Sequence, residues 1–214
     1  MAIRIGTRSS NLALWQANTV ASVLNQAGIE TEIVQIKSSG DRSLGGNLSS
    51  AIGQFVHSID QQLMNNQIDI AVHSSKDVPT DTHDSIRNLA YLERGSTTDV
   101  VLLKRQQNDP SLYDVLSQGH ETPLVEVLKR IQPGSTFGTV SGRRQSLMLS
   151  QRPDLIPLSV RGHVETRIER LLEGRVDALL LAQTGLERLR TTGVLDEVQT
   201  RLTALRIHPD DWPT

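Results

Sequence analysis

Two clusters in this 214-residue sequence bring together residue types suited to polar chemistry. Ser74-Ser75-Lys76-Asp77 stands between the apolar run Ile68 to His73 and Pro79, and Gly138-Thr139-Val140-Ser141-Gly142 leads directly into Arg143-Arg144. A carboxylate such as Asp77, beside Lys76 at a strand end, can stabilise a cation or move a proton. An ordinary turn pair before Val-Pro would show the same residues. In the second cluster, hydroxyls, backbone amides and a cationic pair meet at a predicted helix start, the makings of an anion site. Arginine dominates the basic residues, 18 of 22, with only four lysines. The planar guanidinium captures carboxylate or phosphate through paired hydrogen bonds, which a solvated surface does not require. Arg8, Arg143, Arg144, Arg161 and Arg167 fall at predicted strand ends or helix starts. Arg170, Arg175 and Arg201 read as surface charges.

Composition removes several alternatives. With no cysteine, the sequence itself offers no disulfide, thiolate metal site, thiol nucleophile or thioether tether. A formal net charge of −2 provides no global positive field for nucleic acid or anionic lipid. The glycine pattern after residue 138 does not centre a serine as a nucleophile elbow does. The glycines from Gly40 to Gly46 lack the Lys-Ser/Thr of a phosphate loop. His57, His73, His83, His120, His163 and His208 have no metal-ligand spacing, and His73 reads as a hydrogen-bonded structural residue; no metal is expected. Asn47-Leu48-Ser49 matches a glycosylation sequon that means little in a cytoplasmic chain. The N-terminus shows no secretory pattern, and the longest apolar run, Ala178 to Ala182, is too short to span a bilayer, so a cytoplasmic protein is expected.

The elements that must position these residues alternate between periods of two and 3.6. Strands are expected at Ile3 to Ile5, Glu32 to Lys37 and Ile68 to His73. Helices are expected at Leu12 to Ala27, with Ser9, Ser10 and Asn11 as cap candidates, and at Ile52 to Asn65. Ser38 to Asn47 reads as a loop. The second half repeats the alternation, with strands at Val100 to Leu103, Thr136 to Val140, Leu155 to Val160 and Ala178 to Ala182. Its helical segments are Ser111 to Ser117, Leu124 to Ile131, Arg143 to Gln151 and Val164 to Glu173. Arg94 to Thr98 reads as a hinge, and the tail after Gly193 has little pattern. In open α/β sheets ligands bind at the carboxyl ends of strands, where both polar clusters lie.

Five separated motifs resemble the porphobilinogen deaminase (hydroxymethylbilane synthase) family. They are Ile5-Gly6-Thr7-Arg8-Ser9-Ser10-Asn11-Leu12-Ala13 with Gln16; Lys37-Ser38-Ser39-Gly40-Asp41; Asp69 to Pro79; Gly138 to Gln145; and Arg161-Gly162-His163-Val164-Glu165-Thr166-Arg167, followed by Asp177 to Leu189. The resemblance implies an α/β fold of two lobes, like type II periplasmic binding proteins, with a cleft between the lobes. Residues 1–98 plus about 196–214 would form the first lobe and 99–195 the second. It implies a transferase of tetrapyrrole biosynthesis that joins four porphobilinogen molecules head to tail, releasing ammonia at each step, to give linear hydroxymethylbilane. Asp77 would be the catalytic carboxylate. Arg8, Ser10, Ser74, Lys76, Thr139, Ser141, Arg143, Arg144, Arg161 and Arg167 would hold the acetate and propionate groups of the pyrrole chain.

The family also carries a dipyrromethane cofactor on a cysteine of a third domain. This sequence lacks that cysteine and ends before the expected return strand, so the third domain is expected to be absent through truncation or supplied by another polypeptide. Two further departures are local. Gln54-Phe55-Val56-His57-Ser58 keeps the Phe but not the Lys-Glu pair expected after it, and His163 stands where Asn is usual. Two other classes fit the same residues. One is a non-catalytic binding protein for pyrroles or other small polycarboxylates. The other is an effector domain of a regulator, against which the absence of a helix-turn-helix segment and a basic patch argues.

Overall fold

The computed structural model of the chain describes residues 1–36, 54–80 and 83–212. The motif Lys37 to Asp41, the loop expected over Ser38 to Asn47, the sequon at Asn47, the expected helix start at Ile52 and the side chains of Gln54 and Phe55 lie outside them. The chain divides into two units, Met1–Arg94 and Gly95–Thr214.

In the first unit the alternating Ile-Arg-Ile-Gly-Thr of β1, Ile3–Thr7, pairs in parallel with β2, Thr31–Gln35, and with β3, Ile70–Ala71. Ile5 faces Ile33 on one side and Ile70 on the other, and is fully buried. Helix α1, Asn11–Gln26, begins where the Ser10 hydroxyl accepts the Ala13 N–H, and its buried Ala17 and Ala21 let it lie close to the sheet. Gly28, at φ +81°, takes the left-handed turn that leads into β2. Helix α2 spans Gln54–Met64 and buries Val56 and Ile59. The order β2-β1-β3 requires the two helical connections to run in opposite directions across the sheet. Right-handed crossovers then place α1 and α2 on opposite faces. The strand order reverses between β1 and β3, so their carboxyl ends form a topological switch point.

The second unit is built on β4 (Asp99–Lys104), β5 (Thr136–Gly138), β6 (Ile156–Leu158), β7 (Ala178–Ala182) and β8 (Leu202–Arg206), in the order β6-β5-β7-β4-β8. Strand β4 is antiparallel to both its neighbours and buried along all but its last residue, as its continuous apolar run suggests. The helices are α3 (Leu112–Gln118), α4 (Leu124–Lys129), α5 (Gly142–Gln151), α6 (Val164–Leu172) and α7 (Gln183–Arg190). A capping box between Ser111 and Asp114 opens α3, and Gly119 at φ +72° closes it. Phe137, Met148, Val101, Leu180 and Trp212 meet in the core. The reversal of strand order between β5 and β7 gives this unit its own switch point.

The α/β alternation expected from the sequence is present in both units. The differences are local. Strands expected to run to His73, Val140 and Val160 end earlier, at Ala71, Gly138 and Leu158. Helix α7 and strand β8 carry no clear sequence pattern. Residues from 196 on, which the sequence reading groups with the first lobe, place β8 beside β4 in the second unit's sheet, with Val101 opposite Leu205. That register arises from backbone pairing and from the burial of Leu202 and Ala204. No helix among the described residues is long and apolar enough to cross a membrane.

Candidate functional site

At the switch point of the first unit, β1 delivers Arg8 and Ser10, and β3 delivers His73, Ser74, Lys76 and Asp77. Successive residues of an extended chain point to opposite faces, and here they tie the β3 end to both helices. His73 Nε2–H donates to Asp60 Oδ1 on α2 at 3.3 Å, and the Ser74 hydroxyl donates to Gln16 Oε1 on α1 at 3.1 Å. A single 3-10 turn follows over Ser75–Asp77, with the Asp77 N–H donating to the Ser74 carbonyl at 2.9 Å. The turn leaves Lys76 and Asp77 exposed while Arg8 and His73 are half-buried. Burial depresses the His73 pKa, Asp60 and Asp77 oppose that, and Arg8 reinforces it. Arg8 and Asp77 follow the paired ends of β1 and β3, Gly6 opposite Ala71, so both lie at this corner. A carboxylate open to solvent, with a guanidinium and hydroxyls around it, can receive a ligand that carries both an ammonium and carboxylates.

The equivalent corner of the second unit is richer in cations. The Thr139 hydroxyl, 6 % exposed, accepts the Ser141 N–H at 3.2 Å, and the Ser141 hydroxyl accepts the Arg144 N–H at 3.4 Å to cap α5. Both hydroxyls keep a proton to donate. Arg143 is exposed on the first turn of α5, and Arg161 follows β6, next to β5 in the sheet. Arg167 donates from Nε to the Gly162 carbonyl at 2.8 Å. Its pKa is lowered by burial first, and further by the positive charges of Arg144 and Arg170. Arg144 and Arg167 are therefore close enough to repel, and an anion between them would relieve that repulsion.

The sequence reading places these side chains at strand ends but misses three that control them. Asp60 holds His73, the structural histidine the sequence suggests. Asp99 accepts two hydrogen bonds from the Arg144 guanidinium, and Trp212 donates to the same carboxylate. Asp99 opens β4 directly before the apolar run Val100 to Leu103, a signal that marks it once that strand is known to be buried. Among the described residues, no three His, Asp or Glu side chains gather as a metal site.

The chain spans a little over half the length of the curated relatives it matches. It is 41 % identical over 188 residues to a probable porphobilinogen deaminase of Methanosarcina barkeri, covering 86 % of this chain and 54 % of that one. It is 39 % identical over 199 residues to a porphobilinogen deaminase of Geobacter sulfurreducens, covering 91 % and 56 %. Among solved structures, a periplasmic binding protein of Salmonella typhimurium aligns with a TM-score of 0.46 and 10 % identity, covering 99 % of this chain and 80 % of that one, a likeness too slight to carry an argument. The family model described as porphobilinogen deaminase, dipyromethane cofactor binding domain, matches residues 3–209. With the motif residues gathered at two strand-end corners and that match running through both units, the chain belongs to the porphobilinogen deaminase family.

Proposed function

We propose that this chain carries the substrate-handling and catalytic residues of a hydroxymethylbilane synthase, which condenses four porphobilinogen molecules head to tail with release of four ammonia molecules. The observation that supports this most is the exposed Asp77 carboxylate at the β3 end, beside Arg8 and the His73–Asp60 pair. When the aminomethyl C–N bond of porphobilinogen breaks, the electron pair leaves with nitrogen, which departs as ammonia, and positive charge remains on the pyrrole. Asp77 lies where it can pass a proton with the leaving nitrogen and stabilise the cation that follows. Arg8, Ser10, Ser74 and Lys76 in the first unit, and Thr139, Ser141, Arg143, Arg144, Arg161 and Arg167 in the second, supply donors for acetate and propionate groups.

A dipyrromethane group bears the same acetate and propionate side chains, so these donors suit it as well as substrate. When bound, it supplies the primer to which the first pyrrole is joined. Its thioether requires a thiol, and the 214 residues contain none, so that thiol comes from a continuation of the chain or from a separate polypeptide. The water-soluble substrate and product fit a cytoplasmic reaction.

Calorimetric titration with porphobilinogen tests the binding half of this reading. Bilane formation, with a cysteine-bearing third domain supplied, tests the chemical half. Asp77→Ala is expected to leave affinity within about three-fold while lowering turnover by about 10²-fold or more. Absence of heat with porphobilinogen, or unchanged turnover in the variant, overturns it.

A further inference from the structure

Asp99 is the least expected carboxylate of the second unit. It is only 2 % exposed, at the start of the interior strand β4, which is flanked by β7 and β8, yet it is fully engaged. Its Oδ2 accepts from Arg144 Nε at 2.7 Å and from Trp212 Nε1 at 3.0 Å, and its Oδ1 accepts from Arg144 Nη2 at 2.5 Å. The backbone frames this contact. The Ile207 N–H donates to the Asp99 carbonyl, and the Leu124 N–H donates to Asp211, so the tail that presents Trp212 is fastened on both sides. A guanidinium has five donors in a rigid plane, and Asp99 occupies the Nε–Nη2 edge alone. Among the described residues, no hydrogen bond runs from the Nη1–Nη2 edge.

We propose that Asp99 and Trp212 are positioning residues for Arg144: they grip its guanidinium by one edge and so present the other edge to a ligand carboxylate. This deepens the proposed function and rests on it. Trp212 closes the second lone pair of Asp99, which keeps the carboxylate in the plane that Arg144 needs. The side chain then enters binding with its rotamers already fixed, and ordering it costs nothing further. A plain charge argument gives the opposite expectation, because a buried anion next to Arg144 should weaken its attraction for anions. The sign of the effect therefore decides.

The full chain is compared with Asp99→Asn, Trp212→Phe, Arg144→Lys and the Asp99→Asn/Arg144→Lys double variant, using porphobilinogen as the calorimetric probe and the arginine Nε–H resonances in nitrogen-15 NMR. A slowly exchanging Nε–H that disappears in Arg144→Lys is expected in the wild type, and it should exchange rapidly in Asp99→Asn. Affinity should fall about ten-fold in Asp99→Asn despite the loss of a negative charge, and about three-fold in Trp212→Phe. In the Arg144→Lys background, Asp99→Asn should change affinity less than two-fold, because its effect passes through Arg144. Equal or tighter binding by Asp99→Asn overturns the proposal, as does an undiminished effect in the Arg144→Lys background. If Asp99→Asn does not fold, Trp212→Phe decides, and wild-type affinity in that variant overturns it. If the wild type does not bind porphobilinogen, the functional reading fails. The positioning role is then judged on the resonance, and slow exchange persisting in Asp99→Asn or Trp212→Phe rejects it.

Discussion

Carboxylates of one type serve different ends here, according to what donates to them. Asp69 is gripped from one side: the Arg4 Nε and backbone N–H reach Oδ2 at 3.0 and 2.8 Å, and Nη2 reaches Oδ1 at 2.9 Å. These hydrogen bonds, the side-chain ones foremost, hold its pKa down to about 2. A carboxylate whose pKa is lowered on folding adds stability above the unfolded value of about 4, and that stability disappears as pH falls through the folded one. Asp69→Asn should therefore lower Tm at pH 7, and the gap to wild type should close between about pH 4 and pH 2. A gap independent of pH would show that ionisation of the pair does not stabilise the fold. His73 behaves in the opposite chemical sense but with the same sign. Burial lowers its pKa, so the unfolded chain takes up the proton first, and stability is lost as pH falls below the unfolded value of about 6.5. His73→Gln should have a flatter Tm profile than wild type from about pH 6.5 downward. Parallel profiles would contradict that account. The placement of Asp77, Arg8 and the Arg143-Arg144 pair at strand ends and helix starts is legible from residue type and neighbours. The pairings of His73 with Asp60 and of Arg144 with Asp99 are not, since each joins separate elements.

Helix starts and tight turns are largely local in origin, and they read well from the sequence. Ser10 caps α1, one of the candidates the sequence offers, and Ser141 caps α5. Glycines at close approaches read less well, because the clash they avoid is with a distant element. A Cβ at Gly138 would lie 2.7 Å from Val160 Cγ2, and Val160 is buried with no flexible end to yield. Gly138→Ala should therefore cost about 1–3 kcal/mol of unfolding free energy and disturb Thr139 beside it. Chemical denaturation measures the first and porphobilinogen titration the second, and a neutral substitution would mean that the β5–β6 spacing gives way easily. The ends of β3, β5 and β6 also escape prediction. Apolar residues such as Val72, Val140 and Val160 continue beyond the last paired position, so hydropathy alone does not mark where pairing stops.

Each unit buries its own hydrophobic residues, around Ile5 and Ala17 in the first and around Phe137 and Trp212 in the second. A unit with its own core and closed hydrogen bonding can fold alone. Trp15 and Trp212 are the two tryptophans, so residues 95–214 expressed separately contain only one. Its emission should be blue-shifted, as for a buried indole, and should shift to the red on denaturation with a single transition. Red-shifted emission at the outset would show that the second unit needs the first.

By itself the sequence determined the α/β alternation, the strand-end location of both polar clusters, the preference for arginine and the family those motifs belong to. All of these depend on residue type and on spacing over a few turns, which covalent connectivity sets. Tertiary structure alone decided the partners. Asp99 meets Arg144 across 45 residues and Trp212 across 113 because β4 lies inside the sheet, between β7 and β8, and the tail that follows β8 is hydrogen-bonded to its start. Strand order brings such groups together, and strand order results from burying every apolar face at once, a condition no short stretch of sequence contains.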